Sequence, residues 1–219
     1  MALNPFQRHT RYIQAQQAAR SGGTTRHASG YEQMLMQLTE DQHHLKRIQS
    51  KEKKAELKRQ LLPKYAPWVA GVLAAKSHRQ DDVLMHIMVW RIDAGDYTGA
   101  LALARHALTH DWVMPRPYTR QTACTVAEEF ADAAMRAFVA QKDFDADVLM
   151  TALTLTDSAD MPDESRARLH KALGYALRAA SPMQALNHLK RALQLNQNSG
   201  VKKDIEQLER QLRNASSAG

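Results

Sequence analysis

The chain has 219 residues, of which 44% are hydrophobic, 24% charged and 6% aromatic. This composition indicates a soluble globular protein with one or two domains, and the length excludes both a peptide and a large multidomain machine. No window approaches the roughly 20 apolar residues that cross a bilayer, and the polar, basic start is unlike a signal peptide, so we expect a cytosolic protein. The single cysteine, Cys124, excludes an internal disulfide and a Cys-rich zinc site.

Charge is distributed unevenly along the chain. Residues 1 to 64 contain 12 Lys or Arg and 5 Asp or Glu, whereas residues 65 to 219 contain 18 of each kind. The whole formal excess of +7 therefore lies in the first segment, and no acidic residue precedes Tyr31. A basic end on a neutral body favours an anionic partner, most commonly nucleic acid, with a merely solubilising tail as the alternative.

The first two predicted segments are a basic arm and a basic helix. Residues 1–30 include a Ser-Gly-Gly-Thr-Thr break, which predicts a mobile or partly helical arm able to reach DNA. Apolar residues at helical spacing predict one helix over residues 31–62, about 45 Å long. Its cations form either a phosphate-contacting ridge or a solvated face. The candidate DNA-binding residues of both segments are Arg8, Arg11, Arg20, Arg26, Lys46, Arg47, Lys51, Lys53, Lys54, Lys58 and Arg59.

Two prolines, Pro63 and Pro67, predict the end of this helix because each removes a backbone donor and restrains the preceding residue. We therefore predict four segments: 1–30, a flexible basic arm; 31–64, a long basic helix for oligomerisation and DNA contact; 65–160, a helical body; and 161–219, a tetratricopeptide-like helical region. Body helices are predicted at about 68–77, 80–93, 97–110, 121–141, 145–156, 163–179, 182–195 and 200–213.

An internal echo supports paired helices in the body. Ala100-Leu101 and Ala107-Leu108 recur as Ala185-Leu186 and Ala192-Leu193. Small and large apolar residues seven apart let paired helices approach closely, as in tetratricopeptide hairpins, although the offset is not a multiple of their period of about 34 residues. The predicted fold is all-α: a basic arm and a long helix or helical hairpin, followed by irregular tetratricopeptide-like helix pairs.

Enzymatic motifs for nucleotide binding, serine nucleophiles and zinc proteases are absent from the sequence. Metal-dependent DNA cleavage needs two or three carboxylates around Mg²⁺, and the candidates are Asp81, Asp82 and Asp93. The favoured alternative is structural, because acids ahead of a helix cap it and Asp is a turn former. Adjacent His43 and His44 point about 100° apart on a helix, so we expect no metal site there.

Several strings together resemble one known family, over residues 5–213. They include Gln7-Arg8-His9, Tyr31-Glu32-Gln33-Met34-Leu35, Leu61-Leu62-Pro63, Pro67-Trp68-Val69, Gln80-Asp81-Asp82, Trp90-Arg91-Ile92-Asp93 and Ala159-Asp160-Met161-Pro162-Asp163-Glu164. In combination the strings resemble the small terminase subunit of P-two-like temperate tailed phages, a family whose members are named endonuclease subunits.

The resemblance implies a role in viral DNA packaging in the cytoplasm of a bacterial host. The protein would bind the cohesive-end site of concatemeric double-stranded DNA and direct a large ATPase subunit to cut and package it. A homo-oligomeric ring is implied, with DNA on the arm and basic helix, ring contacts on residues 31–62 and motor contacts on the C-terminal helix pairs. Binding needs no cofactor and no membrane. The alternatives are an intrinsic endonuclease using Mg²⁺, and a helical-repeat adaptor without a DNA role.

Overall fold

The computed structural model describes residues 3–20, 25–76 and 78–217, and leaves out the side chains of residues 25–29 and 216–217. Every regular element in these ranges is an α-helix, which confirms the all-α prediction. The helices are α1 (Pro5–Arg20), α2 (Thr25–Arg47), α3 (Lys51–Ala75), α4 (Asp82–Ala94), α5 (Tyr97–Thr109), α6 (Thr122–Val139), α7 (Ala146–Thr156), α8 (Asp163–Leu177), α9 (Pro182–Leu195) and α10 (Lys202–Ser217). None of the described helices is long and apolar enough to cross a membrane.

The chain divides into two compact units, unit 1 (Met1–Thr119) and unit 2 (Arg120–Gly219). Helices α4 to α10 begin and end within a few residues of the predicted positions. Local signals explain this agreement: the Asp81 and Asp96 side chains cap α4 and α5, and Gly95, with a φ of 85°, ends α4 in a left-handed conformation that suits glycine.

Unit 1 is built around α4, which is buried on almost every side. All residues from Val83 to Trp90 are buried, as expected for a helix that is apolar all round. Helices α3 and α5 pack directly against it, and α3 contributes the fully buried Tyr65 and Trp68.

The helix predicted over residues 31–62 is in fact two helices. Helix α2 ends at Arg47, and the Ser50 hydroxyl caps α3 by accepting a hydrogen bond from the Lys53 amide at 3.3 Å. Helix α3 then continues through Pro63 and Pro67 to Ala75, so the predicted helix end there is wrong. An internal proline costs a helix about 3 kcal/mol, which the burial of the apolar face of α3 offsets.

Residues 5–20, predicted to belong to a mobile or partly helical arm, form a helix packed in parallel against α3. Ala15 is fully buried, and a Cβ added at Gly71 of α3 would lie only 2.6 Å from the Ala15 Cβ. The Arg11 guanidinium donates to the Lys64 carbonyl at 2.8 Å, which ties this side chain of α1 to the backbone of α3. Small residues allow this close approach, and the composition of the segment did not reveal it.

The division into units differs from the predicted segment boundaries. Helix α3 crosses the predicted boundary after residue 64, and the boundary between the compact units follows Thr119. The roles assigned to the four predicted segments remain predictions.

Unit 2 contains closely paired helices. Gly174 of α8 faces Leu189 of α9, where a Cβ would lie 2.6 Å from the leucine side chain. The echoed residues Ala185 and Ala192 are fully buried, as the sequence echo implies for close helix pairing. Helix α10 covers this pair through Ile205 and Leu208. A tetratricopeptide-like arrangement remains a prediction.

Candidate nucleic-acid interface

Five cations meet where α2 and α3 join, and we call them the basic tip: Lys46, Arg47, Lys51, Lys53 and Lys54. Two of them end α2 and three lie in the first turn of α3, with only three residues between the helices. All are exposed except the half-buried Lys54. Within the described part of the chain, none of the five forms an ion pair.

Buried polar contacts hold α2 and α3 as an antiparallel hairpin. Asp41 of α2 is 2% exposed and accepts a hydrogen bond from the Tyr65 hydroxyl at 2.7 Å. Burial, and then this hydrogen bond, raise the pKa of Tyr65 above its usual value, so it remains a donor at neutral pH. Farther from the tip, the Tyr31 ring stacks on Trp68 with centroids 6.1 Å apart. These contacts fix the register that places the basic tip.

Two other predicted DNA-binding residues are engaged within the protein. Lys58 forms an ion pair with Asp93 at the end of α4. Arg59 pairs with Glu56 and also donates from its Nε to the Ala94 carbonyl at 3.3 Å. Their charges are therefore partly neutralised, unlike those of the basic tip.

The cations of α1 lie apart from the tip. Arg8 and Arg20 are exposed, whereas Arg11 is half-buried against Lys64. Because α1 runs parallel to α3, Arg20 lies near the C-terminal end of α3, which is about 37 Å long. The side chain of Arg26 lies outside the described residues. The structure thus does not bring all predicted DNA-binding residues to one place.

The first candidate catalytic carboxylate, Asp81, has a structural environment. It is buried, and it accepts hydrogen bonds from the Leu84 amide at 2.8 Å and from Trp68 Nε1 at 2.9 Å. Burial raises the pKa of Asp81 to about 6, although both hydrogen bonds favour the ionised form. The adjacent cavity, lined partly by Tyr31 and Arg79, measures about 10 Å³, which suits one water molecule and not a nucleotide.

The three candidate carboxylates do not converge. Asp82 accepts from Gln80 Nε2 at 2.9 Å, and Asp93 pairs with Lys58. Asp81 and Asp93 lie at opposite ends of α4, which places them about 18 Å apart along the helix axis. Oxygen ligands of Mg²⁺ lie about 2.1 Å from the ion, so these two cannot share one. No group of three His, Cys, Asp or Glu in the described ranges could hold a metal ion.

The charge asymmetry coincides with the division into units. Residues 1–119 contain 17 Lys or Arg and 10 Asp or Glu, whereas residues 120–219 contain 13 of each kind. Unit 1 therefore carries the entire excess of +7, and unit 2 is formally neutral.

Sequence reasoning did not locate the turn that creates the basic tip, although a helical hairpin was one of its two alternatives. The available signal was Ser50, a favoured N-cap residue, with Glu52 in the first turn that follows it. The long-range Lys58–Asp93 pair left no such local signal, because its partners are 35 residues apart.

Comparison with known proteins agrees with the resemblance seen in the sequence strings. Residues 35–164 match the family described as phage small terminase subunit. Over 212 residues the chain is 49% identical to "Terminase, endonuclease subunit" of Escherichia phage P2, covering 96% of this chain and 86% of that protein. Over 227 residues it is 23% identical to "Probable terminase, endonuclease subunit" of Haemophilus phage HP1 (strain HP1c1), covering 94% and 80%. No solved structure matches it significantly. The chain belongs to the phage small terminase subunit family.

Proposed function

We propose that this protein is the DNA-recognition subunit of a phage terminase. It binds the cohesive-end site of concatemeric double-stranded viral DNA in the host cytoplasm and directs the large ATPase subunit to cut and package it. The observation that carries this proposal is the 49% identity, over 96% of the chain, with a terminase subunit.

The charge distribution supports DNA binding by unit 1. Its +7 excess favours a polyanion, since each phosphate neutralised by Lys or Arg releases a counterion. The predicted cations of α1, α2 and α3 are the candidate contacts. Neutral unit 2 has no such charge excess, and we assign the contacts with the large subunit to its helix pairs.

A homo-oligomeric ring is part of this proposal, with the contacts that the resemblance implies on residues 31–62 extended to α1. Large apolar side chains are exposed there, with Phe6 at 77% and Met36 at 60% exposure. Introducing a charge by Met36→Lys should weaken assembly in native mass spectrometry while leaving the helical fold intact. A full-length oligomer in that variant would exclude Met36 from the ring contacts.

An intrinsic endonuclease is the second candidate, because the names of both relatives contain that activity. Such an enzyme would use Mg²⁺ held by carboxylates. The separation of Asp81 from Asp93 and the internal partners of all three candidate acids favour recognition without cleavage. A helical-repeat adaptor is the remaining alternative, and it would lack DNA affinity.

A DNA-binding titration distinguishes these functions. Fluorescence anisotropy of a labelled duplex containing the cohesive-end site, followed as salt rises from roughly 50 to 200 mM, should show a steep fall in affinity. Binding to a scrambled duplex should be weaker at each salt concentration. Absence of salt-sensitive DNA binding at the lowest concentration would refute DNA recognition and leave the adaptor role.

A further inference from the structure

Three of the four lysines of the basic tip lie at the unfavourable end of a helix. A helix N-terminus carries a partial positive charge of about half an elementary charge, which stabilises acids and destabilises cations. Lys51, Lys53 and Lys54 all lie in the first turn of α3, where Glu52 is the one acidic residue. Lys46 and Arg47, just across the three-residue turn, add repulsion between like charges.

Cations elsewhere in the described chain are often compensated. Lys190 forms an ion pair with Glu209 at 2.7 Å, and Arg178 pairs with Asp204 at the same distance. Lys58 is likewise paired with Asp93. The basic tip therefore concentrates charge that the fold does not neutralise, and three of its five cations lie at a helix N-terminus, where helix stability alone would favour acids.

We propose that the basic tip is a phosphate-contacting element that grips the backbone of duplex DNA without reading its sequence, at the expense of helix stability. This inference rests on the proposed function and specifies which cations carry it. We expect Arg20 to contribute little to DNA binding at the tip, because it lies near the other end of α3. Lys58 and Arg59 should also contribute little, because they have partners within the protein.

The chemistry of the tip favours phosphates over bases. Four of its five cations are lysines, which act as point charges on flexible stems and suit phosphate oxygens. Base recognition in the major groove relies on Arg, Lys, Asn and Gln held in a fixed geometry, whereas no ion pair in the described part of the chain fixes the lysines of the tip. The partial positive charge at the N-terminus of α3 adds to the attraction for a phosphate. Contacts of this kind position a protein on DNA, whereas base contacts specify the site.

The test compares two full-length variants that each lose five positive charges. The tip variant is Lys46→Gln, Arg47→Gln, Lys51→Gln, Lys53→Gln and Lys54→Gln. The control replaces five exposed cations of unit 2 that form no ion pair in the described part of the chain: Arg136→Gln, Lys142→Gln, Lys202→Gln, Lys203→Gln and Arg210→Gln. Affinity is measured by anisotropy on the cohesive-end duplex and on a scrambled duplex, and thermal unfolding is followed in parallel.

We expect the tip variant to lose at least about 30-fold in affinity on both duplexes, so that their affinity ratio is unchanged. The slope of log K against log salt should fall by up to about 4.5, if each cation neutralises one phosphate. The Tm of a variant limited to Lys51→Gln, Lys53→Gln and Lys54→Gln should equal or exceed that of the wild type, because these three charges are unfavourable at the N-terminus of α3. The control should bind DNA within about threefold of the wild type.

Each contrary result has a distinct meaning. Wild-type affinity in the tip variant would overturn the role of the tip and leave the proposed function standing. A loss confined to the cohesive-end duplex would overturn sequence independence. A lower Tm in the variant of Lys51, Lys53 and Lys54 would show that these lysines stabilise the fold, which contradicts their proposed cost. A wild-type protein without salt-sensitive DNA affinity would overturn both the proposed function and this inference.

Discussion

Replacing Asp81 with alanine should lower the free energy of unfolding of unit 1. The substitution removes the N-cap of α4, which is worth about 1 kcal/mol, and leaves the buried Trp68 indole donor without a partner, which costs roughly 1 to 3 kcal/mol. Burying the ionised carboxylate is unfavourable and offsets part of this stabilisation, which is why the pKa of Asp81 is raised. We therefore expect a net loss of about 2 kcal/mol at neutral pH.

The loss should depend on pH in a defined direction. Because the pKa of Asp81 is about 6 in the folded protein and lower in the unfolded chain, folding favours the protonated acid. The part of the stability that depends on protonation of Asp81 is thus fully present below the unfolded value of 3.8 and is lost as the pH rises through 6, whereas the capping and Trp68 contacts remain at neutral pH. The difference between wild type and variant should widen as the pH is lowered from 7 toward 4.

Urea unfolding followed by tryptophan fluorescence reports on unit 1 directly, since the three tryptophans, Trp68, Trp90 and Trp112, all lie within it. Asp96→Ala is the matched control: Asp96 caps α5 from an exposed position, and its other partner is the partly exposed Arg91 guanidinium at 3.2 Å, so its loss should be about 1 kcal/mol. A loss below about 0.5 kcal/mol for Asp81→Ala would refute the structural role assigned to this carboxylate.

Two further predictions concern helix packing and histidine protonation. Gly71→Ala should destabilise unit 1 by about 1 to 3 kcal/mol, because its Cβ would clash with Ala15 and with the Tyr12 carbonyl; an unchanged urea midpoint would contradict the close packing of α1 on α3. His170 should titrate in a ¹H–¹³C NMR experiment with a pKa of about 4, because burial and then the facing His188, with Nδ1 atoms 3.0 Å apart, lower the pKa from 6.5. Stability should accordingly decline as the pH falls from 6.5 toward 4, since the unfolded chain binds the proton more readily; a midpoint near 6.5 would contradict this.

Local signals made most of the helices predictable. Asp81, Gly95, Asp96 and Pro182 act within a turn of their own position, and the helices they bound lie where the sequence places them. The prediction was wrong at Pro63 and Pro67, because burial of the apolar face of α3 outweighs the local preference of proline.

Local signals could not predict the packing of α1 against α3, nor which cations form ion pairs within the protein. Ala15 meets Gly71 across a gap of more than fifty residues, and no local pattern encodes that contact. The sequence likewise identified the cations of residues 46–59 without separating the tip from Lys58, whose partner Asp93 lies on a different helix. Such pairings depend on the tertiary arrangement of α3 and α4.

The most direct test of the central claim is to incubate the purified protein, without any large subunit, with end-labelled DNA that contains the cohesive-end site and with Mg²⁺. Binding is confirmed on a native gel, and strand lengths are read on a denaturing gel. The recognition role predicts bound DNA with both strands intact. Specific nicks that disappear in an Asp82→Asn, Asp93→Asn variant with unchanged DNA binding would contradict it and place cleavage in this subunit.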